Sequence, residues 1–396
     1  MRRRSSPPPP ARRARARAAP RSVPHGASGC RSGRAPGRGT SGARARSRAA
    51  DTTTAIRLSH AGRGRIVTRV AGADEILIAG AGALGSVVGG LLAAAGWPVT
   101  LLGRPAHMEA IGASGLAIDG LFGTHRIRGL GCATDPAQLD GPYAAVFMTV
   151  KAYDTAAMAA AVAPHLARDG FLLSLQNGLG NVEAAERALG AARVLGARVI
   201  FGSELVAPGH ARVTVYADPV LIGSPDPTDA RRQDAGARWA AELSAAGIPA
   251  KLTGALTAEL WAKVLYNAAL NPLGALLGVP YGDLPVDRDT RMIMDAVIEE
   301  AFAVARAEGV ELAWPDASGY RAVFYGRLVP STAAHRSSML QDIERGRPTE
   351  IDAINGQVAA RGAAHGVPTP VNATLARLIR ARTRVGRPRE DTRWSA

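Results

Sequence analysis

The sequence predicts an α/β protein: an N-terminal Rossmann-type doubly wound sheet over residues 73–253, followed by an all-helical C-terminal domain over 254–385. Three observations carry this expectation. A glycine-rich turn joins an apolar strand pattern to a helical one at 75–104. Strands and helices then alternate to about residue 251. From residue 257 the apolar spacing becomes helical and stays so. Alternation marks a doubly wound sheet, because each parallel strand needs a crossover before the next.

The opening unit is the most informative part of the first half. Ile76-Leu77-Ile78-Ala79 is an apolar run of one buried strand's length. Gly80, Ala81, Gly82, Ala83, Leu84 and Gly85 follow as a G-x-G-x-x-G. A small apolar helix pattern then runs to about Ala95, Gly96 and Pro98 end it, and Val99-Thr100-Leu101-Leu102 reads as a second strand. The glycines allow a tight turn, backbone approach to a pyrophosphate, and close packing of helix on strand. The helix N-terminus supplies free N–H donors and partial positive charge. Nicotinamide sites that take NAD carry an acid roughly 20 residues on. This strand ends Leu102-Gly103-Arg104 instead. An arginine there pairs with a 2′-phosphate where an acid would repel it, so NADP (NADPH) is the cofactor expected.

Further strands are expected at 115–118 and 125–129 as a hairpin, 144–149, 171–175, 194–201, and 213–216 with 220–222 as antiparallel edge strands around a turn. Helices are expected at 156–166, 181–189 and 231–246. Lys151 and Asn177 follow two of these strands, where open sheets bind ligands. In the second half, helices are expected at 257–277, with Thr257 as N-cap, and at 291–308, 318–331, 335–345, 350–365 and 371–384.

The formal charge of +15 is unevenly placed. Residues 1–70 hold eighteen arginines against the single acid Asp51, a net +17, so the rest carries −2. The basicity therefore belongs to a tail at 1–72, rich in Arg, Pro, Gly and Ser, whose composition predicts disorder. Three readings of it stand open: nucleic-acid binding without stacking aromatics, an organellar transit peptide, or a start placed upstream of a true one near Val67 or Val70. Residues 386–396 form a second, polar tail. Nucleic acid is not an expected partner of the near-neutral remainder. Cys30 and Cys132 lie far apart, which gives no disulfide framework or metal spacing and fits a reducing, cytoplasmic setting. No apolar run has the length of a membrane span.

Lys263, Asn267 and Asn271 recur every four residues and share one helix face. Such a stripe is either solvent-facing or lines a cleft. Asparagine has no propensity reason to recur in a helix, and Pro272 directly after Asn271 is expected to strain or kink it. A second polar cluster comprises Ser337, Ser338, Gln341 and Asp342, then Thr349, Glu350, Asp352 and Asn355. A structural reading is open there, with Thr349 capping a helix and Glu350 suiting its dipole.

Taken together, GAGALG at 80–85, Val150-Lys151-Ala152, Gln176-Asn177-Gly178, the 259–273 stretch, SSMLQDI at 337–343 and TEIDAING at 349–356 resemble the ketopantoate reductase (2-dehydropantoate 2-reductase) family. The pieces run in family order from about 75 to 385. The resemblance implies NADPH-dependent reduction of the 2-oxo acid 2-dehydropantoate to (R)-pantoate, on the route to pantothenate and coenzyme A. It implies Lys263 as proton donor and Asn267, Asn271 and Ser338 as substrate ligands, with Asn177 between cofactor and substrate. The six residues of the glycine turn, Arg104, Lys151 and Glu350 would hold NADPH. No metal is implied, and a homodimer is left open. One departure is Pro280-Tyr281-Gly282, where family members can carry a further asparagine. Paralogues acting on another branched 2-oxo acid, and a non-catalytic NADP sensor, are the alternatives.

Overall fold

The computed structural model describes residues 75–385. Both tails fall outside this range, and the expectations made for them are not addressed by it.

The chain opens with β1 (Ile76–Ala79), α1 (Ala83–Ala94), β2 (Val99–Leu102), α2 (Pro105–Ser114), β3 (Leu116–Gly120), β4 (His125–Ile127) and β5 (Gly131–Ala133). It continues through β6 (Tyr143–Met148), α3 (Thr155–Val162), β7 (Leu166–Ser174), α4 (Asn181–Leu189), β8 (Val194–Ala207), β9 (His210–Gly223), α5 (Ala230–Ala245) and β10 (Ala250–Leu252). Among the described residues these strands form one mixed sheet in the order β4-β3-β9-β8-β7-β6-β1-β2-β5, with β10 on β9. From β8 through β7, β6, β1 and β2 to β5 every pairing is parallel. The connections reverse direction between β6 and β1. That is the switch point of a doubly wound sheet, and the crevice outside the strands' carboxyl ends opens there.

The period of two in β1 sorts its side chains. Ile76 and Ile78 join the cluster with α1 and α5, whereas Leu77 and Ala79 join the cluster under α3 and α4. All four are fully buried, as a strand covered on both faces requires.

The second half comprises α6 (Leu256–Leu277), α7 (Arg288–Ala307), α8 (Ala317–Val323), α9 (Val329–Ser331), α10 (Ser338–Glu344), α11 (Asn355–Ala364) and α12 (Pro370–Val385). A π turn at Phe324–Leu328 joins α8 to α9. These helices bury an apolar cluster of their own around Trp261, Met294, Tyr320 and Phe324. No described helix is long and apolar enough to cross a membrane.

Several expected boundaries are corrected. The segments at 213–216 and 220–222 are one strand, β9, paired antiparallel with a β8 that runs on to Ala207. Pro219 read as a turn. It sits instead where the register slips between Arg198 and Ile200, a bulge that spares the missing N–H. The helix expected to 166 ends as a 3₁₀ turn at Ala163–His165, and β7 starts at Leu166. Ala255, not Thr257, occupies the N-cap of α6, with no side-chain bond.

Pro272 does not break α6, which continues to Leu277. Its ring nitrogen leaves the Ala268 carbonyl without a helical partner. Asn355 Nδ2 donates to that carbonyl at 3.0 Å and to Asn372 Oδ1 at 2.9 Å. A fully buried asparagine from another helix thus replaces the lost bond.

Candidate functional site

Parallel pairing brings four chain segments to one edge of the sheet. Ala79 lies level with Leu102 in β2 and Met148 in β6, and Met148 with Ser174 in β7. The residues that follow therefore gather: Gly80 after β1, Arg104 after β2, Lys151 after β6 and Asn177 after β7.

The glycine turn is tightly specified. Gly80 has φ +111°, and a Cβ on it would lie 2.4 Å from the Val150 nitrogen. Thr149 Oγ1 donates to the Gly80 carbonyl at 2.8 Å, and the Gly80 and Ala81 amides both bond the Leu102 carbonyl. Gly82 differs. It is the N-cap of α1 and its missing side chain would face open space, the nearest atom being Gly80 O at 3.9 Å. Ala83, Leu84 and Gly85 begin a helix whose first N–H groups have no intrahelical partner. Arg104 is the exposed N-cap residue of α2, and its guanidinium makes no hydrogen bond or ion pair among the described residues.

A chain of polar contacts runs from the helices to the sheet. Asp342 of α10 accepts from Lys151 Nζ at 2.6 Å. The same ammonium lies 3.5 Å from Glu350 Oε2. Glu350 also accepts from the Ala152 amide at 3.1 Å and from Asn177 Nδ2 at 3.4 Å. Asn177 Oδ1 in turn accepts from Lys263 Nζ at 2.6 Å, and the lysine's second bond, 2.5 Å, goes to the Val199 carbonyl of β8. Burial by itself would lower the Lys151 pKa, but Glu350 and Asp342 outweigh it and hold it above the ordinary lysine value. At Lys263 burial wins: the ammonium is pushed down to about 8, with Glu350 opposing the shift and Arg198 adding to it.

The stripe on α6 lines an interior surface. Asn267 and Asn271 are 8% and 4% exposed, which excludes a solvent-facing stripe. Asn267 has no protein partner among the described residues. Asn271 Oδ1 accepts from the Tyr281 hydroxyl, and its main-chain oxygen accepts from Ser337 Oγ at 3.4 Å.

The second polar cluster does not sit at one helix start. Ile354, at φ −106° and ψ −98°, separates a 3₁₀ turn at Ile351–Ala353 from α11. Thr349 consequently has no α-helix to cap. Glu350 turns to Lys151, Asp352 pairs with Arg380 at 2.6 Å, and Asn355 goes into the core. Ser337 is the buried N-cap of α10, accepting from Leu340 N at 3.0 Å. Ser338, its neighbour, is exposed and makes no side-chain bond among the described residues.

Structure also brings in groups to which the sequence assigned no role. Gln176 Nε2 bonds Val150 O at 2.9 Å and Thr155 Oγ1 at 2.6 Å. Asn181 Nδ2 bonds the Asn177 carbonyl at 2.8 Å. These buried contacts tie the loops after β6 and β7 together. The Gln-Asn-Gly segment was a signal for the first of them. A carbonyl such as that of Val199 has no sequence signature.

Two family profiles match the chain: "Ketopantoate reductase PanE/ApbA" over residues 76–227, and its C-terminal counterpart over 255–383. The 2-dehydropantoate 2-reductase of Aquifex aeolicus is 36% identical over 308 residues, covering 78% of this chain and 96% of that protein. The crystal structure of a PanE/ApbA family ketopantoate reductase from Ralstonia eutropha superposes with TM-score 0.70 at 35% identity, covering 78% and 99%. A ternary structure of D-mandelate dehydrogenase with NADH and anilino(oxo)acetate has TM-score 0.71 at 25% identity over the same shares.

Proposed function

The chain belongs to the ketopantoate reductase family, and on that premise we propose that it reduces 2-dehydropantoate to (R)-pantoate with NADPH, as a cytoplasmic step toward pantothenate and coenzyme A. The observation that carries this reading is the position of Lys263. Its part-buried ammonium is aimed at Asn177 on the dinucleotide side, and it is flanked on its own helix face by two buried asparagines.

A nicotinamide dinucleotide fits the residues present. Gly82 leaves open space at a helix N-terminus, and Gly80 and Gly85 fold the backbone around it. Arg104 stands beside this turn with a free guanidinium, which suits a 2′-phosphate. Lys151, Asn177 and Glu350 would meet the cofactor farther along, and the division at 253/254 would separate its domain from that of the substrate. When bound, the dihydronicotinamide supplies the hydride.

The chain's own residues handle charge and position. Lys263 Nζ polarises the C2 carbonyl oxygen, stabilises the alkoxide as it develops, and gives it a proton. Asn267 and Asn271 donate to the substrate and hold the carbonyl in register. Ser338, exposed at the start of α10, is the remaining candidate ligand. Glu350 and Asp342 fix Lys151 and so brace the Asn177 side of the site.

The direct test follows absorbance at 340 nm during NADPH oxidation with 2-dehydropantoate. Saturable turnover is expected. Faster turnover of an aryl or other branched 2-oxo acid would replace the substrate, a reading favoured by the likeness to D-mandelate dehydrogenase. Tight NADPH binding without any turnover would indicate a sensor. For Arg104→Ala the KM for NADPH should rise about tenfold or more while that for NADH barely moves, since a charge-assisted pair is worth roughly 1.5–3 kcal/mol. Equal changes for the two cofactors refute the 2′-phosphate role.

A further inference from the structure

The segment after α6 carries a residue whose part in the site follows from its contacts. Tyr281 is 3% exposed and held from several sides. Its amide donates to the His335 carbonyl at 3.0 Å, and the next amide, Gly282, donates to Ala333 O at 2.9 Å. Its ring meets Tyr266 edge-on with centroids 5.9 Å apart and His335 at 5.2 Å. The hydroxyl donates to Asn271 Oδ1.

A side-chain amide is planar, with its acceptor and its donors on opposite edges. Fixing Oδ1 on Tyr281 therefore aims Nδ2 the other way. Asn271 stands on the helix face it shares with Asn267 and Lys263, which leaves its N–H groups available on that face. Nδ2 has no protein partner among the described residues.

We propose that Tyr281 is a positioning residue for the substrate: it locks the Asn271 amide donor-outward, so that this end of the cleft takes an acceptor-only group, the carboxylate of the 2-oxo acid. Nδ2 offers only donors, so the substrate group it meets must accept, and a carboxylate is the strongest acceptor a 2-oxo acid carries. Burial also holds the Tyr281 phenol protonated, far above the ordinary tyrosine range, so that it stays a donor across the working pH.

This inference rests on the proposed reductase reading, and the two fail separately. Wild-type protein is first assayed with 2-dehydropantoate and a panel of 2-oxo acids; that arm alone decides the substrate. Tyr281→Phe is then assayed with the best acid found. Its KM for the acid is expected to rise about tenfold, with kcat within about threefold and the KM for NADPH unchanged. Asn271→Asp keeps the acceptor for Tyr281 but has no N–H, and should raise the same KM at least as far. A Tyr281→Phe enzyme with a lowered Tm and an acid KM within about twofold of wild type has a packing role only, and overturns the proposal.

Discussion

Lys263→Ala is expected to lower kcat by about 10²–10⁴ while the protein still folds and binds NADPH. The lysine's two bonds, to Asn177 Oδ1 and Val199 O, fix its ammonium, and in the proposed reaction that ammonium supplies the proton. Stopped-flow or steady-state oxidation of NADPH reads the loss, and a decrease smaller than threefold sinks the assignment. Lys263→Arg should fail as well, since a guanidinium does not release its proton at working pH.

The pH profile gives an independent check. Burial depresses the Lys263 pKa from the ordinary lysine value to about 8. A proton donor must be protonated, so kcat for reduction should be level below that pH and fall about tenfold per unit above it. The reverse oxidation needs the neutral amine and should rise through the same range. Arg198 pushes the pKa down and Glu350 pulls it up. A reductive profile that stays flat to pH 10 would place the proton elsewhere.

Gly80→Ala and Gly82→Ala should separate folding from binding. At Gly80, φ is +111° and a Cβ would sit 2.4 Å from backbone nitrogen. Strain and clash together should cost roughly 3–5 kcal/mol, seen as a large fall in Tm and loss of NADPH affinity. Gly82 has φ −84°, ψ −156°, and a Cβ there meets protein only at 3.9 Å. Its alanine variant should melt close to wild type but bind NADPH more weakly, because the methyl group occupies the space a phosphate needs. Calorimetry and fluorescence titration check both, and a Gly82→Ala protein with wild-type affinity would contradict the phosphate site.

Much of the architecture could be read without coordinates. The run Ile76–Ala79 with the glycines behind it specifies a buried strand, a turn and a helix, because only glycine tolerates such backbone proximity. The spacing of Lys263, Asn267 and Asn271 put three polar groups on one helix face, since helical periodicity is a local property. What spacing left open was whether that face met solvent or the interior, and packing buries Asn267 and Asn271.

Other errors share one cause: local signals have several physical uses. Asp218-Pro219 resembled a turn, but a proline also fits a bulge within a long hairpin. Pro272 signalled strain in α6, but the helix runs on through it, and Asn355 from α11 takes the carbonyl it orphans. Glu350, Asp352 and Asn355 looked like one capping cluster and have three different partners.

The sequence by itself determined the alternating sheet, the helical second half, the glycine turn and the residue types offered to chemistry. These follow from periodicity and from backbone limits that act over a few residues. Only the tertiary structure decided which acceptor each donor meets. Lys151 finds Asp342 across 191 positions, and Lys263 finds a main-chain carbonyl at Val199. The physical reason is that every residue carries the same carbonyl, and burial chooses which of them a charged group must use.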